Sequence, residues 1–380
     1  MRWTDEHEAF RAMVRDVVAK EIEPHIDQWE AEGIFPAHEL FPKLGALGLL
    51  GIEVDPAFGG QGADHSFTVI FGEELGRASC GGVPMAISVQ TDMATPSLHR
   101  FGSDELRHRY LAPAVRGEMV AAIAVTEPDA GSDVAALRTK ATRDGDEWVI
   151  DGTKLYITNG VQADWLCLLV RTSDEGGHRG MSQIVFPTYT PGFEVSRKLD
   201  KLGNRSSDTA ELSFTQCRVP VSNTIGEIGR GFQQQMQQFQ NERMIANYMA
   251  VGSTSVAVER TVEYLRNRVV FGKPLLEHQH VQFTLAQLVA DIDLLRHYNH
   301  ACAEAYLAGE DTTRFATVAK LTAGRLSRKV VDTCLQLHGG AGYMEDTWTA
   351  RAFRDSRLLS IGGGADEVML RTLSRLEGWG

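Results

Sequence analysis

The chain has 380 residues, a length that suits two or three domains. Its 38 Lys and Arg residues against 50 Asp and Glu residues give a formal net charge of -12, which argues against a general nucleic-acid binder. A hydrophobic fraction of 43% and a charged fraction of 23% are typical of globular proteins and exclude a largely disordered chain.

Residues 1–120 predict helices separated by short Gly and Pro segments. Ile22, Ile26 and Trp29 recur at the spacing of one helix face. No apolar run reaches the roughly 18 residues that cross a bilayer, and the first residues are too polar for a signal peptide. We therefore expect a cytoplasmic protein with an N-terminal helical domain and no membrane span.

Residues 121–232 change to short β-branched or alternating runs. Asp144 and Gly145 have the residue types of a tight hairpin turn, since glycine adopts a positive φ without strain. Ala210, Leu212 and Phe214 alternate with polar residues, as on a half-buried strand. This segment is therefore predicted to be a β domain.

Residues 233–380 return to helical spacing almost to the end. Leu285, Leu288 and Ile292 mark one helix face, and the glutamines at 233–235 and 237–238 predict a solvated one. The sequence thus predicts an α+β protein with an all-α domain, a β domain and a second helical domain.

Neither the cysteines nor the histidines have the spacing of a metal site, so no bound metal is expected. The cysteines are far apart and form no C-x-x-C pair. They are predicted to be buried free thiols: Cys80, Cys167, Cys217, Cys302 and Cys334.

Two segments of the β domain are candidate ligand sites. Residues 125–133 (VTEPDAGSD) follow a predicted strand, and their small side chains let backbone N–H groups approach a planar or anionic ligand. Tyr156 and Thr158 lie two apart on one predicted strand face, offering a ring for stacking and a hydroxyl for hydrogen bonding. A plain surface turn and a structural Tyr-x-Thr pair are the alternatives.

Two glycine-rich segments of the C-terminal domain are candidate phosphate sites. Residues 336–343 (QLHGGAGY) interrupt a helix, and residues 362–364 (GGG) precede the last one. Free N–H groups at a helix start bind anions, whereas glycines after a helix often only cap it. Neither segment has the spacing of a nicotinamide-binding fingerprint or a Walker loop.

Glu242 is the candidate catalytic carboxylate. Phe239, Ile245 and Met249 place it on an apolar helix stripe, where burial is expected to raise its pKa toward that of a general base. An ion pair that bridges two helices is the alternative.

Together and in this order, the segments resemble the acyl-CoA dehydrogenase family from residue 5 to residue 375. The resemblance is carried by VTEPDAGSD at 125–133, YITNG at 156–160, KLGNRSSDT at 201–209, RVVFGK at 268–273 and QLHGG at 336–340. Within the family, the chain looks most like citronellyl-CoA, branched-chain or long-chain acyl-CoA dehydrogenases.

The resemblance implies an N-terminal helical domain, a middle β-barrel-like domain and a C-terminal four-helix bundle. FAD is expected between the β domain, the bundle and a neighbouring subunit of a homodimer or homotetramer. The residues expected to hold FAD are Ile123, Val125, Thr126, Gly131, Ser132, Tyr156, Thr158, Arg268, Phe271, Leu275, His278, Gln279, Gln336, Gly339, Gly340, Ala365 and Glu367.

The implied reaction is α,β-desaturation of an acyl-CoA thioester, with the β-hydrogen leaving as hydride to the flavin. Many members carry the catalytic glutamate at the position of Gly363, but residues 362–364 contain no carboxylate here. Isovaleryl-CoA and long-chain members carry it on the bundle helix just before an arginine, a position that corresponds to Glu242. Substrate contacts are expected from Ser132, Arg243, Gly363 and Gly364, with the Gly363 N–H donating to the thioester oxygen.

Electrons are expected to pass to an electron-transfer flavoprotein. Two alternatives stay open. One is an acyl-CoA oxidase of the same fold, which reduces oxygen, and the other is a non-catalytic acyl-CoA-binding subunit, against which Glu242 argues.

Overall fold

The computed structural model describes residues 1–379 and begins with an all-helical region. Thr4 caps the first helix, because its hydroxyl accepts the His7 N–H while the His7 ring accepts the Thr4 N–H. The α-helices of this region are α1 (Asp5–Val17), α2 (Ile26–Glu32), α3 (Ala37–Ala46), α4 (His65–Leu75), α5 (Gly82–Ser88), α6 (Thr95–Phe101), α7 (Asp104–Leu106) and α8 (Ala112–Val115). π-helical turns at Val18–Ile22, Val89–Ala94 and Arg107–Leu111 join some of them.

A mixed sheet of eight strands follows. Its strands are β1 (Ala121–Ala124), β2 (Lys140–Asp144), β3 (Glu147–Thr158), β4 (Trp165–Arg171), β5 (Met181–Pro187), β6 (Phe193–Lys198), β7 (Thr209–Pro220) and β8 (Thr224–Ile225). The order is β6-β7-β3-β2-β4-β5-β8, and β1 pairs in parallel with β4.

The local β predictions are confirmed. β2 and β3 form the expected hairpin, with the turn one residue later than predicted: Asp144 ends β2, and Gly145, with a φ of +62°, and Asp146 form the turn. Ala210, Leu212 and Phe214 are all buried on β7, so one face of this strand packs into the core of the sheet.

Long helices make up the rest of the chain. Their bounds are α9 (Gly231–Asn267), α10 (Gln279–Leu307), α11 (Thr313–His338), α12 (Trp348–Ser356) and α13 (Asp366–Leu376), and a two-stranded hairpin of β9 (Val269–Val270) and β10 (Lys273–Pro274) separates α9 from α10. Leu285, Leu288 and Ile292 are buried together, as their spacing predicts.

Helix α9 contacts all three regions. Phe239 packs against residues of the sheet, Ile245 and Tyr248 belong to the core of the N-terminal helices, and Val251 and Leu265 belong to the core shared with α10 and α11. This central position fixes the side chains of α9 against three surroundings at once.

The solvated helix face predicted for the glutamine cluster is wrong for three of its five members, since only Gln233 and Gln237 are exposed. Gln234, Gln235 and Gln238 are buried, because the start of α9 passes between the sheet and the N-terminal helices. Gln183 Nε2 on β5 donates to Gln235 Oε1 at 2.9 Å, and Gln234 Nε2 donates to the Ile225 carbonyl at 3.1 Å. Amide side chains satisfy these buried polar contacts without a buried charge.

All five cysteines are buried free thiols, as expected. Within residues 1–379, no helix combines the length and the apolar character that crossing a membrane would need. The domain boundaries after residues 120 and 232 stay predictions.

Candidate active site

Glu242 lies near the start of α9 and faces the protein interior. The residue is 7% exposed, and among residues 1–379 its carboxyl accepts one hydrogen bond, from Gln235 Nε2, 3.4 Å from Oε1. Burial raises the pKa of the carboxyl to about 8, while the charge of Arg243 lowers it and that of Asp92 raises it. The predicted burial and raised pKa are confirmed. Such a carboxyl can serve as a general base near neutral pH.

The carboxyl of Glu242 lies close to the parallel strands of the sheet. Phe239, one turn earlier on α9, packs on a cluster that includes Ile123 and Val125 at the end of β1. Ile123 is the pairing partner of Cys167 on β4. Burial raises the pKa of the Cys167 thiol to about 12, and the charge of Glu242 contributes to this rise, so the two side chains are near one another.

Seven of the predicted cofactor residues form what we call the sheet-edge group, at the ends of β1 and β3. The Leu155 N–H donates to the Thr126 carbonyl at 2.8 Å and thereby joins the loop after β1 to β3. A Cβ built on Gly131 would have one near neighbour, the Thr126 methyl carbon at 3.9 Å, so the loop is open to a ligand. The group is Ile123, Val125, Thr126, Gly131, Ser132, Tyr156 and Thr158.

A buried ion pair holds the loop of the sheet-edge group in place. Lys154 Nζ donates to the Val125 carbonyl and to Glu127 Oε1, both at 2.9 Å. Glu127 also accepts the backbone N–H groups of Arg138 and Thr139 at 2.6 and 2.9 Å. Because all these polar groups are satisfied, the loop keeps one conformation.

The regular strand alternation predicted for Tyr156 and Thr158 is interrupted by a bulge. The register between β3 and β7 shifts between Lys154 and Ile157, both of which are buried. Tyr156 has a φ of +63° and is 66% exposed. The bulge therefore presents the Tyr156 ring at the surface instead of packing it into the sheet.

A glycine turn before α13 approaches α9. Gly363 and Gly364 have φ values of +64° and +106°, which side chains rarely tolerate. Arg243 Nε donates to the Gly363 carbonyl at 3.5 Å, and no hydrogen bond within residues 1–379 uses the Gly363 N–H. Ala365 is half-buried at the start of α13 and Glu367 is exposed in its first turn, so both stand next to this turn.

Lys320 supports the glycine turn from α11. Its ammonium is buried, with the residue 1% exposed, and donates to the carbonyls of Leu359 and Gly364. Burial lowers the pKa of Lys320 to about 8. The turn is thus held by two basic side chains, Arg243 and Lys320.

The remaining predicted cofactor residues form the distal group, at the other end of α9. The Leu275 N–H donates to the Arg268 carbonyl at 2.7 Å, and the turn between β9 and β10 leaves Phe271 95% exposed with a φ of +52°. Arg268 also lines a cavity of about 770 Å³ with His338 and Ala341. The group is Arg268, Phe271, Leu275, His278, Gln279, Gln336, Gly339 and Gly340.

The structure brings the sheet-edge group, Glu242 and the glycine turn together, but it separates them from the distal group. Glu242 lies near the start of α9 and Arg268 directly follows its last residue, so the two are about 39 Å apart for a rise of 1.5 Å per residue. One chain therefore carries two sets of candidate cofactor residues at two different places.

The sequence did not single out Gln235, Asp92 or Lys320. Gln235 lies seven residues before Glu242, and this helical spacing was the available signal. Asp92 and Lys320 come from distant segments of the chain, and only the fold brings them near Glu242 and the glycine turn.

Three family models match successive parts of the chain. They are described as acyl-CoA dehydrogenase N-terminal domain, middle domain and C-terminal domain, over residues 4–118, 122–217 and 229–376. The chain is also 35% identical over 375 residues to the long-chain specific acyl-CoA dehydrogenase of Sus scrofa mitochondria, a match that covers 98% of this chain and 86% of the relative.

Solved structures resemble the whole chain. An acyl-CoA dehydrogenase from Geobacillus kaustophilus is 37% identical with a TM-score of 0.94, covering 99% of this chain and 98% of that one. A structure described as electron transferring flavoprotein of Acidaminococcus fermentans has a chain that is 29% identical with a TM-score of 0.95, and the match covers 99% of both.

Proposed function

Because the chain belongs to the acyl-CoA dehydrogenase family and catalyses FAD-dependent dehydrogenation of an acyl-CoA thioester, we propose that Glu242 is its catalytic base. The observation that carries this proposal is a buried carboxyl, with a pKa raised to about 8, beside the sheet edge and the glycine turn. Residues 362–364 offer no competing carboxylate.

The residues of the sheet-edge group fit the flavin part of FAD. The exposed Tyr156 ring, the open backbone at Gly131 and the half-buried Thr126 leave an uncovered surface next to Glu242. Bound FAD supplies the oxidant that accepts the β-hydrogen of the acyl chain as hydride. We assign flavin contacts to the sheet-edge group, together with Ala365 and Glu367.

The distal group fits the other end of a dinucleotide. Gly339 and Gly340 have no atom within 4 Å of a built Cβ, and Gly339 has a φ of +60°. Backbone without side chains, next to His338 and Ala341 of the cavity that Arg268 also lines, suits a pyrophosphate. Because this group lies at the far end of α9, we propose that it serves the FAD of a second copy of the chain in a homodimer or homotetramer.

Proton removal by Glu242 needs a stabilised carbonyl oxygen on the substrate. A hydrogen next to a thioester is weakly acidic, so donors must meet the negative charge that develops on that oxygen. The unused Gly363 N–H is the donor that we assign, with Arg243 holding the Gly363 carbonyl. Ser132 and Gly364 complete the proposed substrate contacts.

An anaerobic titration tests the proposed function. Holoenzyme mixed with straight and branched acyl-CoA thioesters should lose its visible flavin absorbance with at least one of them. A matched Glu242→Gln protein should bind the same thioesters without that loss. If no thioester changes the flavin spectrum of the wild type, the chain is a non-catalytic binding subunit and the proposal is wrong.

We propose an electron-transfer flavoprotein as the electron acceptor. The similarity to a chain in the structure described as electron transferring flavoprotein of Acidaminococcus fermentans supports this acceptor. An acyl-CoA oxidase would instead form peroxide in air. Stoichiometric peroxide from aerobic turnover would overturn the assignment, and dye-linked turnover without peroxide would support it.

A further inference from the structure

A second cavity, of about 240 Å³, lies beside the part of α9 that carries the proposed base. Asn241, which precedes Glu242, lines it. The other walls come from the segment before α4, from α4 itself, from the turn Val89–Ala94 with α6, and from α10. An acyl chain whose α-carbon lies at Glu242 therefore has this cavity within reach of its distal part.

The cavity has an apolar wall that includes Leu49, Ile52 and Phe71, and a polar patch interrupts this wall. Glu53, Thr68 and Asp92 form the patch, and all three are at least partly buried. Glu53 Oε1 accepts from Thr68 Oγ1 at 2.6 Å and lies 2.7 Å from His65 Nδ1. Although burial would raise the pKa of Glu53, the charge of His65 and these hydrogen bonds lower it, so Glu53 stays ionised.

Asp92 is the buried carboxyl of this patch, and one of its oxygens has no partner in the described part of the chain. The residue is 8% exposed, and its one hydrogen bond comes from Thr91 Oγ1 to Oδ2 at 2.5 Å. Its second oxygen, Oδ1, has no partner among residues 1–379. Burial raises the pKa of Asp92 to about 7, so near neutral pH the group is found both as an acid that donates and as a carboxylate that accepts.

The charges around the cavity select among possible partners for Asp92. A carboxylate on the substrate would meet the carboxylate of Glu53 and the carboxyl of Asp92. Arg100, the one Lys or Arg among the described residues of the cavity wall, already faces Glu53, whose pKa its charge lowers, and its Nη2 donates to Asn241 and Tyr306 at 3.2 and 2.7 Å. A plain alkyl chain would displace water from Asp92 without replacing its hydrogen bond. A hydroxyl group both donates and accepts, and so matches Asp92 in either protonation state.

We propose that the preferred substrate is an acyl-CoA whose chain carries a hydroxyl group beyond the reacting carbons, and that this hydroxyl hydrogen-bonds to Asp92 in the cavity. The inference rests on the proposed function. It names the class of acyl chain that the site takes and makes Asp92 a residue that determines specificity.

Matched substrates test this inference on the FAD-loaded enzyme. Hexanoyl-, octanoyl- and decanoyl-CoA are compared with the same thioesters ending in a hydroxyl or a carboxylate. At the best chain length, the hydroxylated thioester should exceed the plain one by about tenfold or more in kcat/KM with a dye acceptor, since an unsatisfied buried group typically costs that much. The hydroxylated 2-enoyl-CoA product should also bind more tightly in calorimetry, a readout independent of turnover.

Variants of Asp92 separate recognition from stability. Asp92→Leu should lose the preference for the hydroxylated thioester, while Asp92→Asn, which still donates and accepts, should keep most of it even if the leucine variant fails to fold. The control Asp16→Leu, at an exposed carboxylate on α1, should leave the preference unchanged.

Two outcomes distinguish this inference from the function on which it rests. Equal or better use of the plain thioester, or a preference for the carboxylate, overturns the inference and leaves the dehydrogenase intact. A flavin that no thioester reduces overturns the proposed function and the inference with it.

Discussion

Replacement of Glu242 by glutamine tests the identity of the base most directly. The amide has nearly the same shape as the carboxyl, and its oxygen can accept the same hydrogen bond from Gln235 Nε2 that Glu242 Oε1 accepts, so Gln235 keeps its bond to Gln183. FAD content and acyl-CoA binding should therefore persist. Turnover should fall by about 10²–10⁴-fold, the usual contribution of a general base.

The pH dependence of kcat/KM in the wild type provides a second test of Glu242 as the base. Burial raises the pKa of Glu242 to about 8, so below that pH most of the free enzyme carries a protonated carboxyl that cannot accept a proton. The value of kcat/KM should rise about tenfold per pH unit below pH 8 and level off above it. In Glu242→Gln this rise of kcat/KM toward pH 8 should be absent.

The raised pKa also has a consequence for stability, whose sign follows from linkage. The Glu242 carboxyl binds its proton more tightly in the folded state than in the unfolded chain. The stabilisation that this proton gives is fully present below the pKa of the unfolded chain, and it is lost as pH rises through the pKa of the folded state. A rise from 4.5 to about 8, at about 1.4 kcal/mol per pH unit, corresponds to on the order of 5 kcal/mol as an upper limit. Urea unfolding between pH 5 and 9 should show a larger loss for the wild type than for Glu242→Gln, in which the raised pKa of Asp92 still contributes.

Glu259→Gln provides a matched control, because Glu259 lies on the same helix but is exposed and pairs with Arg77. Its rate and pH profile should equal those of the wild type. The assignment of Glu242 is refuted if Glu242→Gln keeps a rate within tenfold of the wild type or retains the rise of kcat/KM toward pH 8.

Further predictions concern the groups that support the site. Glu127→Gln should lower the free energy of unfolding in urea by about 3–5 kcal/mol, since it leaves the buried Lys154 ammonium without its carboxylate; little change would contradict the role of this pair. Lys320→Met should lower kcat/KM and reduce the free energy of unfolding by about 1–3 kcal/mol, because the Gly364 carbonyl loses its donor. The control Lys329→Met, at an exposed site on the same helix, should change neither quantity. Dilution that dissociates the oligomer in ultracentrifugation should release FAD at the same concentrations, measured by flavin fluorescence; FAD that stays on a monomer would rule out a shared site.

The elements and the burial of Glu242 were predictable because they depend on local periodicity, whereas its proposed role as base came from the family resemblance. The apolar neighbours of Glu242 recur along one helix, and helical spacing alone predicted that its carboxyl is buried with a raised pKa. The hairpin at Gly145 was predictable for a similar reason, since a two-residue turn requires a positive φ and glycine adopts it readily.

The features that could not be predicted from the sequence depend on long-range packing. Gln235 has the composition of a solvated residue, and only the passage of α9 behind β5 buries it. The bulge at Tyr156 is invisible in the sequence because it arises from the register of β3 against β7. Asp92 lies near Glu242 in the structure but on a helical turn that is distant in sequence, so no sequence motif indicates the polar patch of the cavity.

The arrangement of the site explains why a carboxyl on α9 suffices without one in the glycine turn. A base must be held at a fixed position, and α9 is packed against the sheet, the N-terminal helices and the other long helices at once. The group that we propose for the thioester oxygen is a backbone N–H, which any residue except proline supplies, and glycine also adopts the positive φ of Gly363 without strain. In this proposal, proton removal depends on rigid packing around Glu242, whereas oxyanion binding depends on backbone geometry. The two requirements are met by different elements, and a carboxylate in the turn would add strain there without adding a needed group.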